Sequence, residues 1–335
     1  MNFKKTNTIS KEKWTEFIQN HPHVNIFQAP EMYEVYSKTK NYKPIFLVAE
    51  DDSKNVIGIL LAVIQKEHKG ILGKFSARSI IIGGPLVKDN KPEIIEFLLK
   101  EYNKEIKGKA IYTQIRNHWE WNKTEKKIFE KYGFVYEPHL DIIHDLTVKK
   151  EDIWNNITGK ARNKIRKSLK NNIVFDELKS INNVTESYKI LEEVYKNAKQ
   201  PLADYSLFKN AYLVLFDKGM LKIFGALYNK NIVGIRIQLI YCNCVYDWYA
   251  GSKSQYYKFN PNDFLPWKVI EWGSKNGYKY FDFGGAGKPN IPYGVRDHKL
   301  KFGGELVEYG RFEKIHNRFL FQIGKIGLKL YKKIK

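Results

Sequence analysis

The chain has 335 residues, of which 43% are hydrophobic and 15% aromatic, with a formal net charge of +21. Length and apolar content allow two packed domains and exclude a chain too polar to fold. The basic excess points to polyanionic partners (nucleic acid, phosphate-bearing substrates or anionic membrane), although a lysine-rich compositional bias produces the same number.

The first elements in chain order are helices over WTEFIQNHP and APEMYEVYSK. YKPIFLVAED alternates as a strand, DDSKN turns it, and NVIGILLAVIQ forms the next strand. RSIIIGGPLV is a third strand with a Gly-Gly-Pro stop. KPEIIEFLLKEYNKEI has helical apolar spacing with Pro92 in its first turn, and KAIYTQIRN returns to a strand. Helix KKIFEKYGF and strand HLDIIHDLTV follow.

The second half repeats this order. Helices are expected over SINNVTESYKILEEVYKNA and DYSLFKNAYLVLFDKG, then a hairpin over MLKIFGALYNKNIVGIRIQLIY turned at Asn229, Lys230 and Asn231. Strand VYDWYAG, helix NDFLPWKVIEWGSKNG and strand YKYFDFGG complete the unit. IFLVAEDDSKNVIGILLAV and IFGALYNKNIVGIRIQLI match in pattern, which suggests duplication of one α/β (α+β) domain. The expected division is 1–150 and 151–335. Cys242 and Cys244, the two cysteines, are expected at i and i+2 of one strand, too constrained for a normal disulfide. No cysteine-based zinc site is possible, and no metal cluster of proper spacing is seen. No apolar signal core or membrane span is seen, so a cytoplasmic location is expected.

The segment FDFGGAGKPNIPYGVRDHKLKFGGE, residues 281–305, carries most of the chemistry. Gly284, Gly285 and Gly287 let backbone approach a ligand closely. Asp282, Arg296, Asp297, His298, Lys299 and Lys301 bring charge to the same rim, which suits acyl or phosphoryl transfer. A surface hairpin with solvated charges is the plain alternative. In KARNKIRKSLKNN, residues Arg162, Arg166 and Lys170 share one helical face and could grip a diphosphate. A solvated face is the alternative there. No GxSxG elbow or Cys–His pair suggests a covalent nucleophile.

FQAPEMYEVYSK, IIGGPLVKD, KARNKIRKSLKNNI, VYDWYAGS, YFDFGG and HKLKF, in this order, resemble the Fem family of cell-wall aminoacyltransferases and, more broadly, tandem GNAT-fold acyltransferases. The resemblance implies two GNAT-like domains with substrate held in the cleft between them. It also implies transfer of an amino acid from aminoacyl-tRNA to an amine of a peptidoglycan-type precursor, nucleotide- or lipid-linked. Under it, Lys299 is the expected catalytic residue, contacting the acyl donor and stabilising negative charge near the ester. Tyr249 lines the acceptor groove. Tyr36 stands where some members place a phosphate-binding lysine, so Lys38 is the substitute candidate. Asp89 is a further acceptor-binding candidate. The chain has no sustained heptads for a coiled-coil arm.

No cofactor is expected beyond the donor itself. The slots that hold a glycine-rich pyrophosphate loop in acetyl-CoA-using GNAT domains read SKSQYYKFNPND and PLVKDNKPE, without those glycines. Two alternatives stay open: an acyl-CoA-dependent N-acyltransferase acting on an amino sugar in surface-polysaccharide synthesis, and a non-catalytic module that binds RNA or anionic lipid. RFLFQIGKIGLKLYKKIK reads as a basic amphipathic helix, suited either to peripheral contact with an anionic membrane or to docking on its own domain.

Overall fold

The computed structural model describes residues 3–6, 8–67 and 76–334, with the side chains of 327–334 excepted. The elements follow in this order: β1 (Lys4–Thr6), α1 (Lys11–Gln19), α2 (Pro30–Lys38), β2 (Tyr42–Glu50), β3 (Val56–Gln65), β4 (Arg78–Ile82), β5 (Leu86–Val87), α3 (Pro92–Ile106), β6 (Tyr112–Arg116), α4 (Lys123–Lys131) and β7 (Val135–Glu137). Then come β8 (Leu140–Asp145), α5 (Lys150–Asn156), α6 (Gly159–Lys170), β9 (Val174–Glu177), α7 (Ile181–Asn197), α8 (Tyr205–Leu215), β10 (Leu221–Tyr228), β11 (Asn231–Tyr241), β12 (Cys244–Ser252), α9 (Pro261–Lys275) and β13 (Tyr280–Gly285). The last elements are α10 (Gly294–Leu300), β14 (Glu305–Glu308), β15 (Arg311–Ile315) and α11 (Arg318–Ile334).

One unit comprises residues Met1–Pro138 and Tyr309–Lys335. Its sheet has the order β1-β2-β3-β4-β6-β15-β7, with β5 paired to β3. The β4 and β6 strands are parallel, joined through α3. That helix starts at Pro92, whose missing N–H costs nothing in a first turn, and buries Ile94, Ile95, Leu98, Leu99, Tyr102 and Ile106. The Tyr102 hydroxyl is fully buried and lies 2.7 Å from Ser79 Oγ and 2.8 Å from Thr113 Oγ1, so its polar end is matched within the sheet.

The other unit comprises His139–Glu308, with sheet order β14-β8-β13-β12-β11-β10-β9. The β10–β11 hairpin turns at Asn229 and Lys230, with φ of 49° and 65°, the conformation that a two-residue turn needs to follow strand twist. A second hairpin turns at Cys242 and Asn243, between Tyr241 and Cys244. This corrects the placement of the cysteines: Cys242 is exposed in the turn at φ 48°, and only Cys244 belongs to the strand. The core gathers Ile142, Phe264, Ile270, Phe281, Phe283 and Phe302 from β8, α9, β13 and the segment after α10.

The two sheets have the same order when read from the same edge, as duplication requires. The division nevertheless departs from the expected 1–150 and 151–335. Strand β8, read as the end of the first half, pairs with β13 and β14 and buries Ile142 and His144 in the second unit. Conversely β15, near the end of the second half, lies between β6 and β7 in the first. Each repeat thus gives its last strand to the other unit. Residues 139–308, expressed alone, should therefore show one cooperative thermal transition by circular dichroism. Residues 1–150 should show none, because β6 and β7 lose the strand that joins them.

Candidate active site in the second unit

The parallel strand pairs of the two units differ in one respect. In the first unit β4 and β6 stay paired over their whole length, Arg78↔Tyr112 through Ile82↔Arg116, and Gly83 N–H extends the ladder to the Arg116 carbonyl at 2.9 Å. In the second unit β12 and β13 pair only over Cys244↔Tyr280, Val245↔Phe281 and Tyr246↔Asp282. Beyond that point β12 continues to Ser252, while β13 turns off at Gly285. The strands separate into a wedge, bordered by Asp247, Trp248 and Tyr249 on one side and Phe283–Gly285 on the other. A register shift between Ile237 and Gln238 leaves Trp248 as the extra residue of a bulge in β12, which locally re-aims its side chains.

Charge is concentrated at the mouth of this wedge. Arg236 and Gln238, alternate residues of β11, reach the two oxygens of Asp247: Arg236 Nη1 pairs with Oδ2, and Gln238 Nε2 donates to Oδ1 at 2.7 Å. Asp282 is buried, with its Oδ1 accepting the Gly284 N–H at 2.6 Å. Desolvation raises its carboxyl to about 6, against the Gly284 N–H and Lys299 and with help from Asp247. Gly284 has φ 66°, and a Cβ there would lie 3.1 Å from the Tyr246 hydroxyl, so only glycine fits the turn without strain.

Lys299, expected to meet the acyl donor directly, instead points its ammonium at the turn. Its Nζ donates to the carbonyls of Phe283 at 2.6 Å, Gly285 at 2.9 Å and Gly284 at 3.2 Å. An ammonium has three protons, and these three acceptors match them. Burial pulls its pKa below the usual lysine range, while Asp247 pulls the other way. The lysine is thus a clamp on the main chain that forms one wall of the wedge.

The remaining candidates are distributed as follows. Arg296 is a second brace, donating to the Lys288 carbonyl at 2.7 Å and the Ile291 carbonyl at 2.8 Å. Tyr249 packs edge-on against Phe208 at 4.7 Å and Trp248 at 5.0 Å, forming an aromatic wall with Tyr195. His298 hydrogen-bonds the Asn262 backbone and stacks edge-on to Phe302, as a packing residue does. The Lys301 carbonyl accepts the Thr158 N–H at 2.9 Å, which joins this segment to the start of α6. On α6, Arg162 reaches Asn155 Oδ1 at 3.4 Å, Arg166 lies 5.5 Å from the Trp154 ring centre, and Lys170 is exposed. In the first unit Lys38 pairs with Glu34 at 2.6 Å one turn away. Asp89, at φ 55°, lines a surface pocket of about 460 Å³ with Lys13, Lys54 and Lys88. Lys38 and Asp89 thus fall in the unit without the wedge.

Sequence reasoning missed Arg236, Gln238 and Glu193. The first two had a signal: polar residues at alternate positions of the apolar strand IVGIRIQLI. Glu193 lies far along the chain from what it touches. Its Oε1 accepts both Ser254 N–H at 2.9 Å and Ser254 Oγ–H at 2.6 Å. Ser254 opens the 3₁₀ turn Ser254–Phe259, which leads through Asn260, at φ 55°, into α9. A carboxylate therefore occupies a main-chain N–H of the loop in which a GNAT domain would cradle pyrophosphate. Among the described residues no group of His, Cys, Asp and Glu side chains could hold a metal ion.

Comparisons with known proteins bear on the fold that carries these residues. Residues 159–299, all within the second unit, match the family described as acetyltransferase (GNAT) domain. The fold is that of two GNAT-like domains in tandem. Within it, FemX shares the architecture with a TM-score of 0.74 at 16% identity, over 96% of this chain and 99% of that one. L-PGS from Bacillus licheniformis follows with 0.59 at 14% identity, over 96% and 97%. A tandem GNAT protein from the clavulanic acid biosynthesis pathway gives 0.58 at 7%, over 94% and 99%. No curated protein sequence matches the chain.

Proposed function

We propose that the protein is an aminoacyltransferase that takes an amino acid from aminoacyl-tRNA and joins it to an amine of a peptidoglycan-type cell-wall precursor. Acyl transfer follows from the fold class and the GNAT domain. The choice of donor rests on one observation, the Glu193 carboxylate seated on Ser254 in the donor loop. It takes an N–H that a diphosphate would use and repels the diphosphate's charge. The FemX-like architecture supports the same reading.

In this mechanism the acceptor amine enters the wedge of the second unit. Asp282 accepts the proton that the amine loses as it attacks the acyl ester. A carboxyl raised to about 6 is ionised near neutral pH yet basic enough for that task. The nitrogen forms the new bond to the acyl carbon, the acyl carbon–oxygen ester bond breaks, and the oxygen leaves on the tRNA ribose with the proton that Asp282 took from the amine, which returns the carboxylate to its ionised form. Lys299 holds the Phe283–Gly285 main chain in place, while Asp247 and Arg236 fix the facing strand. The cations Arg162, Arg166, Lys170 and Lys301 supply anion affinity in the same unit, and Tyr249 with Trp248 provides a face for the acceptor.

Ligand-dependent thermal stabilisation tests the donor, since a ligand that binds only the folded state must raise Tm. Charged tRNA should raise Tm, and acetyl-CoA should not. Stabilisation by acetyl-CoA alone would replace this reading with a CoA-dependent N-acyltransferase, which the GNAT match at 159–299 favours as the second possibility. Transfer of a labelled amino acid from tRNA to a precursor amine is the direct assay.

A further inference from the structure

The helix α11 presents two different faces. Asn317 Oδ1 caps its start by accepting the Leu320 N–H at 3.0 Å. Phe321 docks edge-on to Tyr112 of β6, with ring centres 5.3 Å apart. Phe319, Ile323 and Ile326 are exposed by 73%, 43% and 58%. Their i, i+4, i+7 spacing places them along one stripe. The two expectations for this segment are therefore both partly met: one face docks on its own unit, and another carries large apolar side chains in solvent. Arg318, Lys325, Lys329, Lys332, Lys333 and Lys335 belong to the same segment, which contains no acidic residue from 318 onward. The side chains of Leu328, Leu330 and Tyr331 lie outside the described residues.

From this juxtaposition we propose that α11 lies flat on an anionic phospholipid surface, with Phe319, Ile323 and Ile326 at the acyl boundary and Arg318 and Lys325 among the headgroups. Charge decides the occupant. A second copy of the helix would bring like charges together, and RNA would meet the cations but leave the apolar stripe wet. An anionic bilayer accepts both the stripe and the charge. Among the described residues no helix is long and apolar enough to cross a membrane, so the contact is peripheral. This inference is independent of the donor and acceptor proposed above.

The full chain should co-sediment with vesicles of phosphatidylcholine mixed with phosphatidylglycerol, less so as salt is raised, and should stay in solution with phosphatidylcholine alone. The double variant Phe319→Ser/Ile326→Ser should weaken vesicle binding about tenfold or more, because the stripe supplies the apolar part of the attachment. Its Tm should stay unchanged, since both residues are exposed in the folded chain. Lys325→Gln should weaken binding by a smaller factor of about fivefold. Equal partition onto neutral vesicles, no partition at all, or full retention by the double variant would overturn the proposal. So would a double variant that keeps vesicle binding but loses self-association or tRNA affinity.

Discussion

Asp282→Asn should lower turnover by about 10²–10⁴-fold, the range of a general base, while leaving the protein at least as stable as before. Asparagine keeps an oxygen for the Gly284 N–H but removes a buried charge. The pH dependence follows from the raised carboxyl, which titrates at 3.8 when unperturbed and at about 6 in the fold. Between those values the folded chain holds its proton more tightly than the unfolded chain. Wild-type stability from this group therefore falls as pH rises across that window and stays at its lower level above it. The variant lacks that loss, so its Tm advantage should appear as pH passes from about 4 to about 6 and should vanish below. In wild type, kcat/KM should rise with pH through about 6 as the base ionises, and the variant's residual rate should lack that limb. A variant with near-normal turnover, or with the limb intact, would remove Asp282 from the chemistry.

Lys299→Met should damage stability and turnover together. The methionine keeps much of the stem but leaves the carbonyls of Phe283, Gly284 and Gly285 without their ammonium. Hydrogen bonds to a charged donor in a buried setting make this a loss of roughly 2–4 kcal/mol, seen as a Tm lower by several degrees. Because the turn forms one wall of the wedge, kcat should fall by about 10²-fold or more, with the KM for the acyl donor little changed. Lys299→Arg should restore part of the stability. The alternative result is informative: a Tm like wild type with a large rise in donor KM would mean that the ammonium leaves the turn and meets the donor, as the family resemblance implies.

These two residues show what a sequence can and cannot display. The glycine turn was legible because Gly284 and Gly285 follow an apolar strand and Lys299 lies shortly after them. Which atoms the lysine would choose was not legible. That depends on where α10 returns to β13, a distance along the chain that no local pattern encodes. The β2–β3 and β10–β11 hairpins, α3, α9 and the duplicated order followed from periodicity and turn residues, both of which act over a few positions; the β11–β12 turn at Cys242 and Asn243 did not. Strands β9, β14 and β15 escaped notice because they are short and almost wholly exposed or half-exposed, so apolar alternation is weak in them. The division of the chain escaped for a related reason. HLDIIHDLTV announces a strand clearly, but nothing in it states which sheet will receive it.

The exchanged strands also set an order of completion during synthesis. The second unit, 139–308, is continuous and has every strand of its sheet once Glu308 has left the ribosome. The first unit begins earlier yet waits for Arg311–Ile315 before β6 and β7 gain the strand between them. Nascent domains commonly finish from the amino end onward. Here the earlier-made sheet is the later to close, and until it does the main-chain groups of β6 and β7 that face β15 stay unpaired.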